Sequence, residues 1–205
     1  MFLTAASELA TGQWVDVALT NKVGMRGILL LVYVSALMFV LRHFVGKLAH
    51  TLSNPGVLWV SSLLAAIGPF MLSRADSPVT AMVAATVWGA GVCVMWPTML
   101  ASVAERYPRG GSWLMGLIGS AGALSIYFVL ARHGAIYEAA KVDLAGGSDT
   151  LATLKGAALA QVESGAAARS FEYVAVLPLI LLFVFGLIWL IERRRPAIVN
   201  SEVLP

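Results

Sequence analysis

Long apolar runs without a charged residue constrain this chain more than any other feature. Residues 173–191 contain no Asp, Glu, Lys or Arg. A helix needs roughly 20 residues to cross a hydrocarbon core about 30 Å thick. The composition agrees, because 59% of the residues are hydrophobic and only 12% are charged, whereas soluble domains carry about 25% charged residues. The runs therefore predict an all-α, polytopic membrane protein that contacts a lipid bilayer.

Six predominantly apolar segments predict a bundle of six transmembrane helices. The predicted spans are 2–20, 27–45, 55–73, 78–104, 110–131 and 171–192. The first span carries Glu8 and Asp16, and we assign it as a helix because a transport pathway needs an intramembrane carboxylate. The Ala/Gly-rich range 132–170 is predicted to be an extracytoplasmic loop, with a break at 146–149 and a short surface helix at 150–164.

Basic residues are divided unequally between the two sides of a six-span bundle. One side holds Arg42, Lys47, Arg106, Arg109, Arg193, Arg194 and Arg195, and the other side holds Lys22, Arg26 and Arg74. Short loops rich in Lys and Arg stay in the cytoplasm. This rule predicts a multi-pass protein of the inner or plasma membrane with a cytoplasmic C-terminus.

Polar and aromatic residues inside the spans are candidates for a binding site. Glu8, with Gln13 and Trp14 one to two turns later, suggests a proton-coupling or hydrogen-bonding group beside a stacking surface. The alternative is that Glu8 lies near a helix end and is solvated. Trp88 and Trp96 are eight residues apart, which puts them near one face of a continuous helix. They are pocket candidates, although tryptophan also forms interfacial belts.

Residues that affect helix packing and gating form a second group. Pro97 removes a backbone hydrogen bond and is expected to kink its helix. Small residues permit close helix packing and also sliding, and those in the fourth and fifth spans are Gly89, Gly91, Gly116, Gly119 and Gly122. Arg42, Glu105 and Arg106 lie at predicted cytoplasmic helix ends. They either pair across helices as an inner gate or act singly as interfacial anchors.

Other signals argue against enzymatic chemistry. The sequence has no phosphate-binding loop, and its His, Ser and carboxylate residues do not show a convincing catalytic spacing. His43, His50 and His133 are not at metal-ligand spacing and are interpreted as solvated. We therefore predict no enzyme activity, no cofactor, no metal site and no nucleic-acid partner.

Several stretches are similar to one transporter family. The stretch 33–49 (YVSALMFVLRHFVGKLA) resembles the cytoplasmic loop between helices eight and nine of major facilitator superfamily transporters, with His50 near the place of its usual acidic residue. The stretch 89–111 (GAGVCVMWPTMLASVAERYPRGG) resembles helix ten and the loop after it, and the segment through Gly122 resembles helix eleven. Glu8 with Gln13-Trp14 resembles the helix-seven pattern of the fucose-permease and nucleoside-symporter branch.

This resemblance implies that the chain is the C-terminal six-helix half of a twelve-helix secondary transporter. The implied activity is alternating-access transport of a small polar solute such as a sugar or nucleoside, coupled to protons. Glu8, Gln13, Trp14, Tyr33, Trp88 and Trp96 would then line the cavity. The implied partners are a missing N-terminal half, a second copy or a second polypeptide. The alternatives are a membrane subunit of a multi-component transporter, an intramembrane enzyme and a membrane scaffold.

Overall fold

The computed structural model describes residues 1–23 and 26–194, except for the side chains of 13–14, 16–23, 45 and 47–50. The described chain is all-α. Its helices are α1 (Phe2–Val23), α2 (Gly27–Arg42), α3 (Val45–Ser73), α4 (Pro78–Val92), α5 (Met95–Arg106), α6 (Gly111–Ala145), α7 (Ser148–Thr153) and α8 (Ala157–Arg194), with a one-turn 3-10 helix at Pro108–Gly110.

Local sequence signals set several of these boundaries. Before α4, Ser77 accepts a hydrogen bond from the Thr80 amide at 3.3 Å, and the Ser77 amide donates to the Thr80 hydroxyl at 3.0 Å. Pro78 follows as the first helical residue, where its missing N–H costs nothing. At the end of α6, Gly146 is left-handed with φ 77°. The amides of Gly146 and Gly147 bond back to the carbonyls of Asp143 and Val142, which closes the helix in a Schellman motif.

Four helical stretches of the described chain are long and apolar enough to cross a membrane. They are Thr51–Ser73, Pro78–Arg106, Pro108–Ala145 and Ala157–Arg194. By helix length and composition the chain is therefore a multi-pass membrane protein. The helix α2 is apolar but shorter, and α1 is helical as predicted but is not one of the four. The six-span bundle remains a prediction.

The range 132–170, predicted to be an extracytoplasmic loop with a short helix, is mostly helical. The helix α6 continues to Ala145, and α8 begins at Ala157, well before the predicted start of the last span. Residues 146–156, which include α7, separate the two helices, and the break predicted at 146–149 lies within them. Alanine-rich sequence was interpreted as a loop because its polar residues shorten the apolar run, although alanine is the strongest helix former.

The tightest packing joins α3 to α4 and to α8. A Cβ atom built at Gly68 would lie 2.4–2.6 Å from the backbone and Cβ of Trp88, so the two helices touch there without a side chain between them. On the opposite side of α3, Trp59 stacks on Trp189 of α8 with ring centroids 5.5 Å apart. Gly56 and Gly186 make room for these rings, since a Cβ at either position would lie 2.9 Å from an indole nitrogen. The helix α1 packs against α8, α6 and α2 on the remaining side.

Candidate functional site

The long apolar segment from Pro78 to Arg106 is interrupted near its middle. The helix α4 ends at Val92, Cys93 and Val94 form a turn, and α5 begins at Met95. Pro97 explains this position, because it has no N–H to donate to the carbonyl four residues earlier, which is that of Cys93. The interruption predicted from Pro97 therefore lies one turn before the proline.

Arg42 reaches the carbonyl that this interruption leaves free. Its Nε donates a hydrogen bond of 3.1 Å to the Cys93 oxygen. The guanidinium thus connects the C-terminal end of α2 to the end of α4, where a cation also complements the helix dipole. A buried carbonyl that would otherwise be unsatisfied in the bilayer gains a charged donor.

Glu8 completes this group of charges from α1. Its carboxylate is partly buried, and it lies within electrostatic range of Arg42 without forming a salt bridge with it. The candidate site is therefore built from three different elements: a carboxylate on α1, a guanidinium from α2, and the backbone break between α4 and α5. The sequence pointed to Glu8 and Arg42 separately, for binding and for gating; in the structure they lie on helices that pack against each other, and Arg42 is the one that contacts the break.

Trp88 lies one turn before the break and is 2% exposed. The tip of its ring faces Gly12 of α1, where a Cβ atom would lie 3.4 Å from the indole. Its Nε1 has no hydrogen-bond partner among the described residues. A buried N–H without an acceptor costs free energy, so such a group is available to any acceptor that can reach it.

The other aromatic candidates lie in different places. The Tyr33 hydroxyl of α2 is 2.7 Å from the Thr86 hydroxyl of α4. Trp96 of α5 packs on Gly122 of α6, where a Cβ would lie 2.8 Å from its ring. The turn at Cys93 and Val94 lies between Trp88 and Trp96, and the idea that the two rings share one face stays a prediction. Gln13 and Trp14 belong to α1, but their side chains lie outside the described residues.

The two remaining gating candidates make cross-helix contacts at the ends of the helices. Asn54 of α3 donates from Nδ2 to Glu105 at 2.6 Å. Arg106 forms a salt bridge with Glu192 of α8. Arg42, Glu105 and Arg106 therefore each connect two elements, but they do not pair with one another.

One buried polar pair was missed at the sequence level. His133 was interpreted as a solvated loop residue, yet it is buried on α6 and its Nε2 lies 2.9 Å from the Ser170 hydroxyl of α8. The ring also interacts with the backbone of Ala10 on α1. The interpretation is wrong because α6 extends beyond the apolar run that was used to define its end. A histidine two residues beyond the end of an apolar run, between Arg132 and Gly134, was the available signal.

No family model, curated protein or solved structure matches this chain. The chemical properties of the site are those of its side-chain and backbone groups. Glu8 can accept or hold a proton, Arg42 can donate to an oxygen, the Cys93 carbonyl can accept, and Trp88 Nε1 can donate. Together these groups offer hydrogen-bond donors and acceptors and one ionisable carboxylate.

Proposed function

We propose that this chain is one half of a secondary active transporter that moves a small polar solute by alternating access, coupled to protons. The observation that carries the proposal is the hydrogen bond from Arg42 to the Cys93 carbonyl at a helix break, with the Glu8 carboxylate of α1 within electrostatic range. Charged groups inside membrane segments are costly and mark transport pathways. Interrupted helices near the middle of the bilayer are where transporters bind solutes and ions, because their backbone groups are free there.

The coupling follows from the charge on Glu8. When Glu8 is ionised, it attracts the Arg42 guanidinium, and the two charges stay near the break. When Glu8 takes a proton, this attraction disappears, and Arg42 is free to leave the Cys93 carbonyl. The carbonyl is then available to a solute hydroxyl, so protonation and solute binding favour the same state.

The neighbouring groups suggest the class of solute. The unpaired Nε1 of Trp88 offers a donor, and the Cys93 carbonyl, five residues further along the chain, offers an acceptor. A donor and an acceptor on one segment suit a solute that carries several hydroxyl groups, such as a sugar or a nucleoside. The opposite wall of the cavity would come from a second copy of the chain or from another half-bundle.

Solute-driven proton movement tests this function directly. The chain is reconstituted into liposomes loaded with a pH-sensitive dye, and sugars and nucleosides are added outside one at a time. We expect at least one solute to acidify the lumen and to accumulate when an inward proton gradient is imposed. Glu8→Gln should abolish the proton signal and gradient-driven accumulation, because the amide cannot exchange a proton.

Two further variants show whether a loss of transport is specific to Glu8 and Arg42. Glu172→Gln makes the same chemical change at an exposed carboxylate of α8 and should leave transport unchanged. Arg42→Lys keeps the charge but loses the directed Nε donor, so transport should fall by about ten-fold or more. Gradient-driven accumulation that persists in Glu8→Gln would remove the coupling role. No transport of any solute by the unmodified chain, reconstituted at a density that lets two copies associate, would exclude a transporter built from this chain alone.

A further inference from the structure

A cleft on the outside of the bundle lies between α3, α5 and α8, away from the Glu8–Arg42 site. Its volume is about 200 Å³. The wall is mostly apolar and comprises Pro55, Leu58, Met99, Ser102, Val103, Phe185 and Ile188, while Arg106 and Tyr107 stand at its end. An apolar wall that ends in a guanidinium and a phenol fits a ligand with a hydrocarbon body and an anionic head.

The position of the cleft is that of the lipid headgroup boundary. The helix α5 ends at Arg106, and α8 ends nearby, since Glu192 forms a salt bridge with Arg106. Close to this end Trp59 stacks on Trp189, and the Arg193 guanidinium lies 4.4 Å from the Trp189 ring centre. Tryptophan and arginine at the ends of apolar helices mark the membrane interface.

Cations outnumber anions at the mouth of the cleft among the described residues. Arg106, Arg109, Arg193 and Arg194 are all exposed. The two carboxylates on the same helix ends are already engaged, Glu105 with Asn54 and Glu192 with Arg106. The side chain of Arg106 is 50% exposed, and its guanidinium has five N–H donors, most of which remain for another acceptor. Arg109 stays close because the 3-10 turn folds directly after Tyr107, with the Gly110 amide bonded to the Tyr107 carbonyl at 2.9 Å.

We propose that this cleft binds one anionic phospholipid, with an acyl chain against the apolar wall and the phosphate at Arg106 and Arg109. Basic pockets between membrane helices select anionic headgroups in this way. A lipid bound here contacts α3, α5 and α8 together, so it stabilises the same helix ends that the Arg106–Glu192 and Asn54–Glu105 contacts hold. The proposal does not depend on the transport function.

Thermal unfolding in detergent is the test. The purified chain in a maltoside detergent is titrated with dioleoyl phosphatidylglycerol, and unfolding is followed by tryptophan fluorescence. A ligand that binds only the folded state raises the melting temperature, by roughly 5–10 °C at a free concentration about 100 times its Kd. We expect a saturable increase with this lipid. Dioleoyl phosphatidylcholine, which has the same chains, and inorganic phosphate, which has no chain, should each give much less.

Four variants locate the site. Arg106→Gln should weaken phosphatidylglycerol binding about ten-fold or more, and Arg109→Gln about five-fold. Val103→Phe should abolish it by filling the cleft. Arg74→Gln is the matched control, because Arg74 lies at the opposite end of α3, with its guanidinium 4.0 Å from the Phe70 ring centre; binding should not change.

Glu192→Gln distinguishes the proposal from simple misfolding. It releases Arg106 from its salt bridge, so it should tighten phosphatidylglycerol binding about two- to five-fold. A damaged protein cannot mimic a gain in affinity. The proposal is overturned if Glu192→Gln weakens phosphatidylglycerol binding or if Val103→Phe still binds this lipid. It is also overturned if phosphatidylcholine or phosphate acts as well as phosphatidylglycerol, or if Arg74→Gln weakens binding as much as Arg106→Gln.

Discussion

Gly68 and Gly91, where α3 and α4 meet, and Gly116 and Gly119 of α6 are in opposite environments. A Cβ at Gly68 or Gly91 would lie 2.4 Å from atoms of the facing helix, including the Ala65 amide nitrogen in the case of Gly91. A Cβ at Gly116 or Gly119 of α6 would have no neighbour within 4 Å. The same difference holds for whole helices, because 61% of the most apolar window of Thr51–Ser73 is buried but only 11% of that of Pro108–Ala145.

This difference shows that glycine has two roles in one chain. In α3 and α4 it allows backbone contact, so the two helices pack closely at these positions. In α6 the glycines at 116 and 119 leave a smooth outer face that the rest of the described chain does not fill. For the proposed transport cycle, the α3–α4 pair is the rigid element, and the Glu8–Arg42 site lies between it and the helices α1 and α2.

Among the variants of the α3–α4 contact, removal of the Trp88 ring should lower the free energy of unfolding the most. Trp88→Ala empties a site that Gly68 and Gly12 are shaped to accommodate, so we expect a loss of about 3–5 kcal/mol in the free energy of unfolding. Trp113→Ala on α6 removes an indole that is 75% exposed and should cost far less. Unfolding in mixed micelles with increasing SDS, followed by circular dichroism, measures both. Equal losses for the two variants would contradict the contrast between the regions.

Addition of a methyl group at Gly91 should be the next most damaging change. In Gly91→Ala the new Cβ meets the Ala65 backbone, which cannot rotate away, so α3 and α4 must separate at a cost of about 1–3 kcal/mol. The same unfolding experiment gives the value, and Gly119→Ala serves as its control on the open face. If Gly91→Ala is as stable as the unmodified chain, the helices are not in backbone contact at that point.

The sequence predicts the apolar runs and the helix interruption near Pro97 better than it predicts contacts between helices. The span 55–73 and the charge-free run 173–191 follow directly from apolar length, and both lie inside helices that are long and apolar enough to span a membrane. Pro97 predicted an interruption because its effect on the helix is covalent and local. The extents of α6 and α8 were wrong because the prediction stopped where hydropathy fell, whereas helix propensity continued through the alanines.

The candidate site was predictable only as separate residues. Glu8 is unusual inside an apolar segment, and Arg42 marks a helix end, so each attracts attention alone. The hydrogen bond from Arg42 to the Cys93 carbonyl depends on how α2 and α4 pack, and one sequence carries no signal for that distance. The burial of His133 against Ser170 also depends on contacts between residues far apart in the sequence.

Loss of the hydrogen bond between α2 and α4 should have a smaller effect. The Thr86 hydroxyl donates to the Met82 carbonyl at 2.8 Å, so the Tyr33 hydroxyl is the donor to Thr86. Tyr33→Phe removes only this donor, and we expect a loss of about 1 kcal/mol in the free energy of unfolding. A Thr86→Ala variant should lose a similar amount, and the double variant should lose little more, since both changes break one bond. Additive losses would show that the two hydroxyls do not interact.

The smallest effect is expected on the open face of α6, and it should have the opposite sign. In Gly116→Ala the added methyl group meets no atom within 4 Å, while alanine in a helix interior is more favourable than glycine by about 0.5 kcal/mol. The variant should therefore be slightly more stable than the unmodified chain in SDS-induced unfolding. The sign is what matters, because every substitution in the α3–α4 contact is expected to lower stability. A clear loss of stability in Gly116→Ala would mean that this face packs as closely as the α3–α4 contact, and the contrast between the two regions would disappear.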